Sequence, residues 1–513
     1  MSKQLVIIGA GQGGLSASIY AKLQGWDVLV IEKRDLPGGK AAQIENLGFQ
    51  LDPGPSIIIL THLYDQVFQA AGRNPRDYLN FTPLPTLSRV YFEGQSMIDL
   101  PSDLDACRSL LRQVAPQDLA GFDKLYATLR KAAPLVDKSV FAQPFRDPKD
   151  LLSPALLKFG FHFNPFRDYK TLVDQYFKSD LLRSFFYGFP SYGGQSYHSK
   201  APGAFLIPFY MIEHGVSFPV GGVRAIPAAF HRLAIELGVE FRFNTGISEI
   251  ETTNDRVTAV ITDQNERITA DAIISNVDPW TLGPQKQPPT KPASFSYFTA
   301  HWGLNKPVEG LDHHTLFVPK TYEESFRELY ADRQFPTRPI VYVNDTHAHD
   351  PASLPKQTPS SDAPHSAKEF REELPPLMGR GGENLGEQID GGKSLIFAVI
   401  TAPSQEPHIK WLAQTPEYVQ RIRHELALHN ISFNDEDIVF ERIQTPDLFA
   451  QRDGNFRGSL YGGDEQFRQW GIFPPVNIDP KVKNLAYCGG AVQPGAGLPM
   501  VTLSGKFAVD LLK

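Results

Sequence analysis

Val6-Ile7-Ile8-Gly9-Ala10-Gly11-Gln12-Gly13-Gly14-Leu15 runs from an apolar strand into a glycine turn, and Ser16-Ala17-Ser18-Ile19-Tyr20-Ala21 continues as a small-residue helix. After Gly25 a second strand, Val28-Leu29-Val30-Ile31, ends in Glu32. Each part has a physical job in holding a dinucleotide. Gly9 permits the tight turn, Gly11 lets the backbone approach a pyrophosphate, and Gly14 allows helix to pack closely on strand. Gly13 lies in the same turn, and the helix that follows presents free N–H groups and a partial positive charge to phosphates. Glu32 stands eighteen residues past Gly14, near the offset at which a carboxylate accepts hydrogen bonds from a ribose. The glycine spacing alone also fits a purely structural turn; its strand–turn–helix–strand–acid setting favours the dinucleotide.

Working outward, Lys33-Arg34-Asp35-Leu36-Pro37-Gly38-Gly39-Lys40 is a second glycine turn carrying cations. Beside the first motif it reads as a further phosphate clamp using Lys40 or nearby N–H groups; in isolation it would read as a solvated surface turn. Gly48 to Ser56 holds two prolines and two glycines around a short strand, which forces an extended, closely approached backbone suited to lie along a flat ring. At the far end, Leu485-Ala486-Tyr487-Cys488-Gly489-Gly490 is a strand running into glycines. Pro494-Gly495-Ala496-Gly497-Leu498-Pro499-Met500 is a rigid turn before a helix. That second glycine-led helix start offers more N–H donors for a reduced ring or its carbonyls; the alternative is a helix that only caps the sheet.

Between these ends the spacing predicts helices over 104–114, 118–132 and 225–237 and near 416–428. Strands are expected at 238–243, 257–262 and 272–275, the last returning the chain to the nucleotide sheet and making that domain discontinuous. Further strands are expected at 294–304, 340–343 and 395–400. From Phe159 to Tyr210 sixteen of fifty-two residues are aromatic against 11% for the chain. Part of that excess suits a helical core; the density favours a partly open apolar surface, either a long tunnel or a membrane-facing rim. Residues 355–392 are rich in Pro, Ser, Glu and Gly and read as a polar insertion.

Composition narrows the function. A net charge of −7 supplies no electrostatic reason to bind nucleic acid. Two cysteines, Cys107 and Cys488, suffice for neither a disulfide framework nor a metal cluster and suit a reducing compartment. The first strand begins so near Met1 that no signal peptide is expected, and no apolar run is long enough to span a bilayer.

With these motifs placed, the sequence resembles the carotenoid desaturase family of flavoproteins, of the bacterial phytoene desaturase type, within the wider amine-oxidase-like fold. The resemblance rests on Gly9-x-Gly11-x-x-Gly14 with Glu32, Pro37-Gly38-Gly39-Lys40, Asp52-x-Gly54-Pro55 and Pro219-x-Gly221-Gly222. It continues through Asn276-x-Asp278-Pro279, His313-His314 and Pro494-Gly495-Ala496-Gly497-x-Pro499. It implies an α/β architecture: a Rossmann-like FAD-binding domain (1–75 with 215–285 and 480–513), a helical aromatic-rich region (76–214) and an inserted antiparallel-sheet substrate domain (286–479). The candidate FAD contacts it implies are Gly9, Gly11, Gly13, Gly14, Glu32, Lys33, Gly39, Lys40, Gly54, Pro55, Ser56, Ile247, Asn276, Gly490, Gly497, Leu498, Pro499 and Met500, with no metal. The implied substrate is a long apolar polyene, and the implied location is cytoplasmic, peripheral to the inner face of the membrane. Met500, where phytoene desaturases usually carry glycine, and Gly454-Asn455-x-Arg457-Gly458-Ser459-Leu460-Tyr461-Gly462 stand closer to the branch of hydroxycarotenoid 3,4-desaturases and diaponeurosporene oxidases. No catalytic base stands out, although His313 and His314 are candidates for positioning. Terminal oxidation of a carotenoid, amine oxidation and non-enzymatic isoprenoid binding are the alternatives.

Overall fold

The computed structural model describes residues 3–42, 44–47, 49–52, 54, 56–145, 149–150, 153–164, 166–288, 290–345, 393–463 and 475–512. Pro55 and the 355–392 insertion lie outside them.

Gln4–Ile8 is the middle strand of a five-stranded parallel sheet, in the order Leu485–Tyr487, Ala272–Ser275, Gln4–Ile8, Asp27–Ile31, Glu240–Arg242. A parallel strand covered on both faces needs consecutive apolar residues, and Leu5 to Ile8 are each at most 3% exposed. Leu5 and Ile7 join Leu15, Ile19 and Phe507 in the largest core. Val6 and Ile8 face the opposite way, toward Ile250, Val260 and Ile268, which belong to a three-stranded antiparallel sheet, Ile247–Thr253, Arg256–Thr262 and Arg267–Thr269. Chain segments hundreds of residues apart thus build one layer.

The helices Gln12–Leu23 and Leu498–Leu511 pack tightly on each other. A Cβ on Gly505 would overlap the Gly13 carbonyl oxygen, and Ser16 Oγ donates to the Thr502 carbonyl at 2.6 Å. Small residues at this crossing let two backbones approach where a branched side chain would hold them apart.

A second sheet has seven strands, in the order Ile438–Gln444, Ser296–Leu304, Ser394–Ala402, Val341–Asp345, His314–Val318, Thr86–Phe92, Ile98–Pro101. Its last two strands come from the region expected to be mainly helical over 76–214, within the part from about 64 to 133 that reads as helices and strands together. Thr86–Phe92 buries Leu87, Val90 and Phe92 and pairs in parallel with His314–Val318. The helix expected from Pro416 begins earlier and spans Trp411–Ala427. Trp411 anchors it, only 2% exposed among Phe298, Phe335 and Tyr418.

The aromatic stretch divides between core and cavity wall. Phe163, Tyr169, Phe177, Phe186 and Phe205 form a buried ring cluster, with Tyr169 and Phe205 centroids 4.5 Å apart and those of Phe177 and Phe186 4.6 Å apart. Phe159, Phe185, Phe189, Tyr192 and Tyr210 instead line an internal cavity. Phe161 and Phe166 point outward, 90% and 77% exposed.

Candidate functional site

The register of the parallel sheet builds the site. Ile8 lies opposite both Ile31 and Ser275, so Gly9, Glu32 and Asn276 follow side by side at the carboxyl edge, where ligands of such sheets bind. Gly9 N–H donates to the Ile31 carbonyl at 2.7 Å, and Asn276 N–H to the Ile8 carbonyl at 2.8 Å. Two glycines of the motif work differently. A Cβ on Gly14 would overlap the Gly9 carbonyl oxygen, whereas one on Gly11 would meet Asn276 Nδ2 at 2.5 Å. Gly14 therefore sets how closely helix meets strand, and Gly11 keeps the cavity floor clear.

Glu32 is 8% exposed. Its carboxylate accepts the Ala10 N–H at 2.7 Å and the Arg34 N–H at 2.9 Å. It is held rigidly by backbone, and a carboxylate has acceptor capacity beyond two bonds. The second glycine turn docks on the first through the Gly11–Gly38 bridge and the 2.8 Å bond from Gly38 N–H to the Ala10 carbonyl. Arg34 secures it by donating to the Gly39 carbonyl at 2.9 Å.

These turns open into one cavity of about 1350 Å³. Gly9, Gly11, Glu32, Lys33, Gly39, Lys40, Gly54, Ser56, Ile247, Asn276, Gly490, Gly497, Leu498, Pro499 and Met500 all line it. Gly13 and Gly14 do not: they sit behind it, at the helix–helix and helix–strand contacts described above. The helices Gln12–Leu23 and Leu498–Leu511 both begin at the cavity wall, after Gly11 and Gly497.

Most of the charge gathers at one end, Lys200 being a lining cation outside it. Lys40 donates to Asn455 Oδ1 at 3.1 Å, and enclosure by protein pulls its ammonium below the ordinary lysine range against the opposing pull of Asp453 and Asp278. Burial alone would raise Asp453, but the Arg452 guanidinium, with Lys40 and Arg34, holds its carboxyl below the usual range. Lys33, Arg34, Lys40 and Arg452 with two helix N-termini make this end suited to an anionic pyrophosphate.

The remaining wall is apolar and uncharged over most of its extent, with Leu156, Phe159, Phe189, Ile207, Phe397 and Val399 among its residues. Polar side chains interrupt it, two hydrogen-bonded sets among them. Ser56 Oγ and Tyr342 OH are 2.8 Å apart, and Tyr342 OH lies 2.6 Å from His314 Nδ1. Tyr297 OH and Tyr461 OH are also 2.8 Å apart. His314 lines the cavity, whereas His313 packs edge-on against Phe218 at 4.6 Å.

The glycine cradle, the anchored carboxylate and the cationic end fit a dinucleotide whose pyrophosphate rests between two helix starts. Residues 13–308 match the family described as flavin containing amine oxidoreductase. The chain belongs to this family. Membership makes it a flavin-dependent oxidoreductase with FAD as cofactor. Among similar proteins is a zeta-carotene-forming phytoene desaturase of Myxococcus xanthus, 29% identical over 99% of this chain and 94% of that protein. Another is a 4,4'-diaponeurosporene oxygenase of Staphylococcus haemolyticus, 26% identical over 99% and 96%. The crystal structure of an oxidoreductase from Methanosarcina mazei shares the fold, with a TM-score of 0.63 and 16% identity over 99% of this chain and 100% of that one.

Several residues of this flavoprotein's site escaped the sequence reading. Arg34, Asp263 and Arg452–Asp453 line the nucleotide end, and Tyr297 and Tyr342 the apolar end. Arg34 was within reach, since it adjoins Glu32 in a cationic turn. The tyrosines carry no local signature, because distant strands bring them together.

Proposed function

We propose that this chain dehydrogenates a long polyene, introducing C=C bonds in the manner of the carotenoid desaturases it resembles. The observation that carries this reading is a single cavity whose charged nucleotide end continues into a long apolar wall. The carboxylates lining the cavity, among the described residues, are Glu32, Asp263 and Asp453. Asp263 bonds the Gly246 N–H at 3.1 Å beside Ile247, and Asp453 sits with Arg452. None of these three lies along the apolar wall to meet an ammonium group, which argues against an amine substrate. The full-length similarity to a phytoene desaturase supports the same reading.

FAD, when bound, would supply a two-electron acceptor. The chain's own part is to grip the nucleotide through Glu32 and the two glycine turns, hold the polyene straight, and exclude water with the Phe and Leu wall. The deciding experiment offers phytoene, diapophytoene and a hydroxylated neurosporene-type polyene to the FAD-loaded protein. Products with lengthened conjugation are expected, seen as red-shifted absorption. Peroxide formation with amines and no change in any polyene would overturn the reading. The same product analysis separates desaturation from terminal oxidation, which the similarity to a diaponeurosporene oxygenase keeps in view.

We further propose that the protein works at the inner, cytoplasmic face of a membrane. Helix Pro154–His162 has no buried residue; Leu156 and Phe159 line the cavity, while Leu157 and Phe161 face outward. Among the described residues no helix is long and apolar enough to cross a bilayer, so the fitting arrangement is shallow insertion of this rim. Burying a phenyl side chain contributes roughly 1.5–3 kcal/mol. The double variant Phe161→Ser, Phe166→Ser is expected to bind liposomes at least about tenfold more weakly, measured by flotation. Unchanged flotation would remove the membrane from the proposal.

A further inference from the structure

The apolar wall carries a group of phenols that a plain hydrocarbon would leave unsatisfied. Tyr192, Tyr297, Tyr330 and Tyr461 all line the cavity, delivered by a short turn, a strand, a helix end and a loop remote in sequence. Tyr192 is 39% exposed, and it lines the cavity. The turn behind it packs on Tyr461: a Cβ on Gly194 would approach the Tyr461 ring to 2.6 Å. The cluster adjoins the terminal glycine turn, since a Cβ on Gly490 would lie 3.7 Å from the Leu460 carbonyl oxygen.

A count of donors shows what the group lacks. Tyr297 and Tyr461 share one hydrogen bond of 2.8 Å. Two phenols bring two protons, and one bond between them uses one. The accepting phenol retains an O–H to give away. The Tyr192 O–H is a second donor at the same wall. Burial pushes the acidity of Tyr297 and Tyr461 away from ionisation, so these hydroxyls stay protonated and neutral. Neutral donors in a dry pocket match a neutral acceptor oxygen.

We propose that the Tyr297–Tyr461 pair with Tyr192 is a recognition site for an oxygen atom at the end of the substrate, a hydroxyl or a carbonyl on an otherwise apolar polyene. This deepens the proposed function and rests on it. The oxygenated end is seated against the terminal glycine turn, so the bonds nearest that end are the ones presented for dehydrogenation. A hydrocarbon of equal length displaces water from the phenols and returns no acceptor, the arrangement by which sites built for a substrate hydroxyl reject analogues lacking it.

The test compares two linear polyenes equal in carbon number and conjugation, one with a terminal hydroxyl and one without. Binding to the FAD-loaded protein is followed by quenching of protein fluorescence. The wild type is expected to bind the hydroxylated polyene at least about tenfold more tightly. Tyr461→Phe and Tyr297→Phe are each expected to weaken that polyene several-fold and leave the hydrocarbon unchanged. Flavin content and melting temperature verify that the variants are folded, and the wild-type comparison stands even if one is not. Equal wild-type affinities, or equal weakening of both polyenes by the Phe variants, would overturn the oxygen site and leave the polyene reading intact. Binding of neither polyene would overturn both.

Discussion

Gly14→Ala is expected to yield protein that loses its yellow colour on purification. The added methyl falls on the Gly9 carbonyl oxygen, so backbone meets backbone and no side chain can swing aside. The helix Gln12–Leu23 has to lift from the strand Gln4–Ile8, taking with it the N–H groups proposed to hold the pyrophosphate. Its far side is blocked, because Gly505 of the opposing helix already sits against Gly13 and Ala17. Overpacking of this kind costs about 1–3 kcal/mol, and here the strain falls on the binding geometry. FAD affinity is expected to drop by about ten- to a hundredfold, measured by calorimetric titration of the apoprotein and by flavin absorbance per chain. Wild-type affinity in this variant would show that the close helix–strand contact does not govern the cradle.

Glu32→Ala is expected to weaken FAD further, by about a hundredfold or more. Two losses coincide. The backbone donors of Ala10 and Arg34 lose their acceptor at 2.7 and 2.9 Å, and an unsatisfied buried donor costs about 1–3 kcal/mol. A ribose held at Glu32, as proposed, would lose its carboxylate acceptor as well. Glu32→Gln keeps the shape but turns an amide N–H₂ toward one of the two donors, so its loss is expected to be intermediate. Equal affinities for the Gln variant and the wild type would mean that shape, not charge, is what Glu32 contributes.

What the sequence disclosed follows from distance along the chain. The cradle was legible because its parts are local: a glycine turn, its strand and its acid lie within about thirty residues, and each residue type has one physical task there. The second wall at Gly490 to Met500 was legible for the same reason. The strands Thr86–Phe92 and Ile98–Pro101 had no individual bounds in a stretch dominated by helical spacing; pairing with His314–Val318 defines the first, and pairing with the first defines the second. Trp411 rather than Pro416 sets the start of its helix because the bulk it buries outweighs a local breaker. The phenol cluster was beyond reach, since residues 192, 297, 330 and 461 share nothing until the sheets assemble. The aromatic excess between 159 and 210 announced an apolar site and also a core; sequence alone could not apportion the rings between them.

The five-stranded sheet has a consequence for how the protein is made. Its central strand lies at residues 4–8, its partner at 272–275, and the edge strand at 485–487. At translation speeds of about 5–20 residues per second, roughly half a minute or longer separates the emergence of the first strand from that of the edge strand. Throughout that interval the glycine turn exists without the helix Leu498–Leu511 that walls it in, and the apolar faces of Leu5 to Ile8 lack their full cover. Cofactor capture is therefore expected to follow the emergence of the helix Leu498–Leu511.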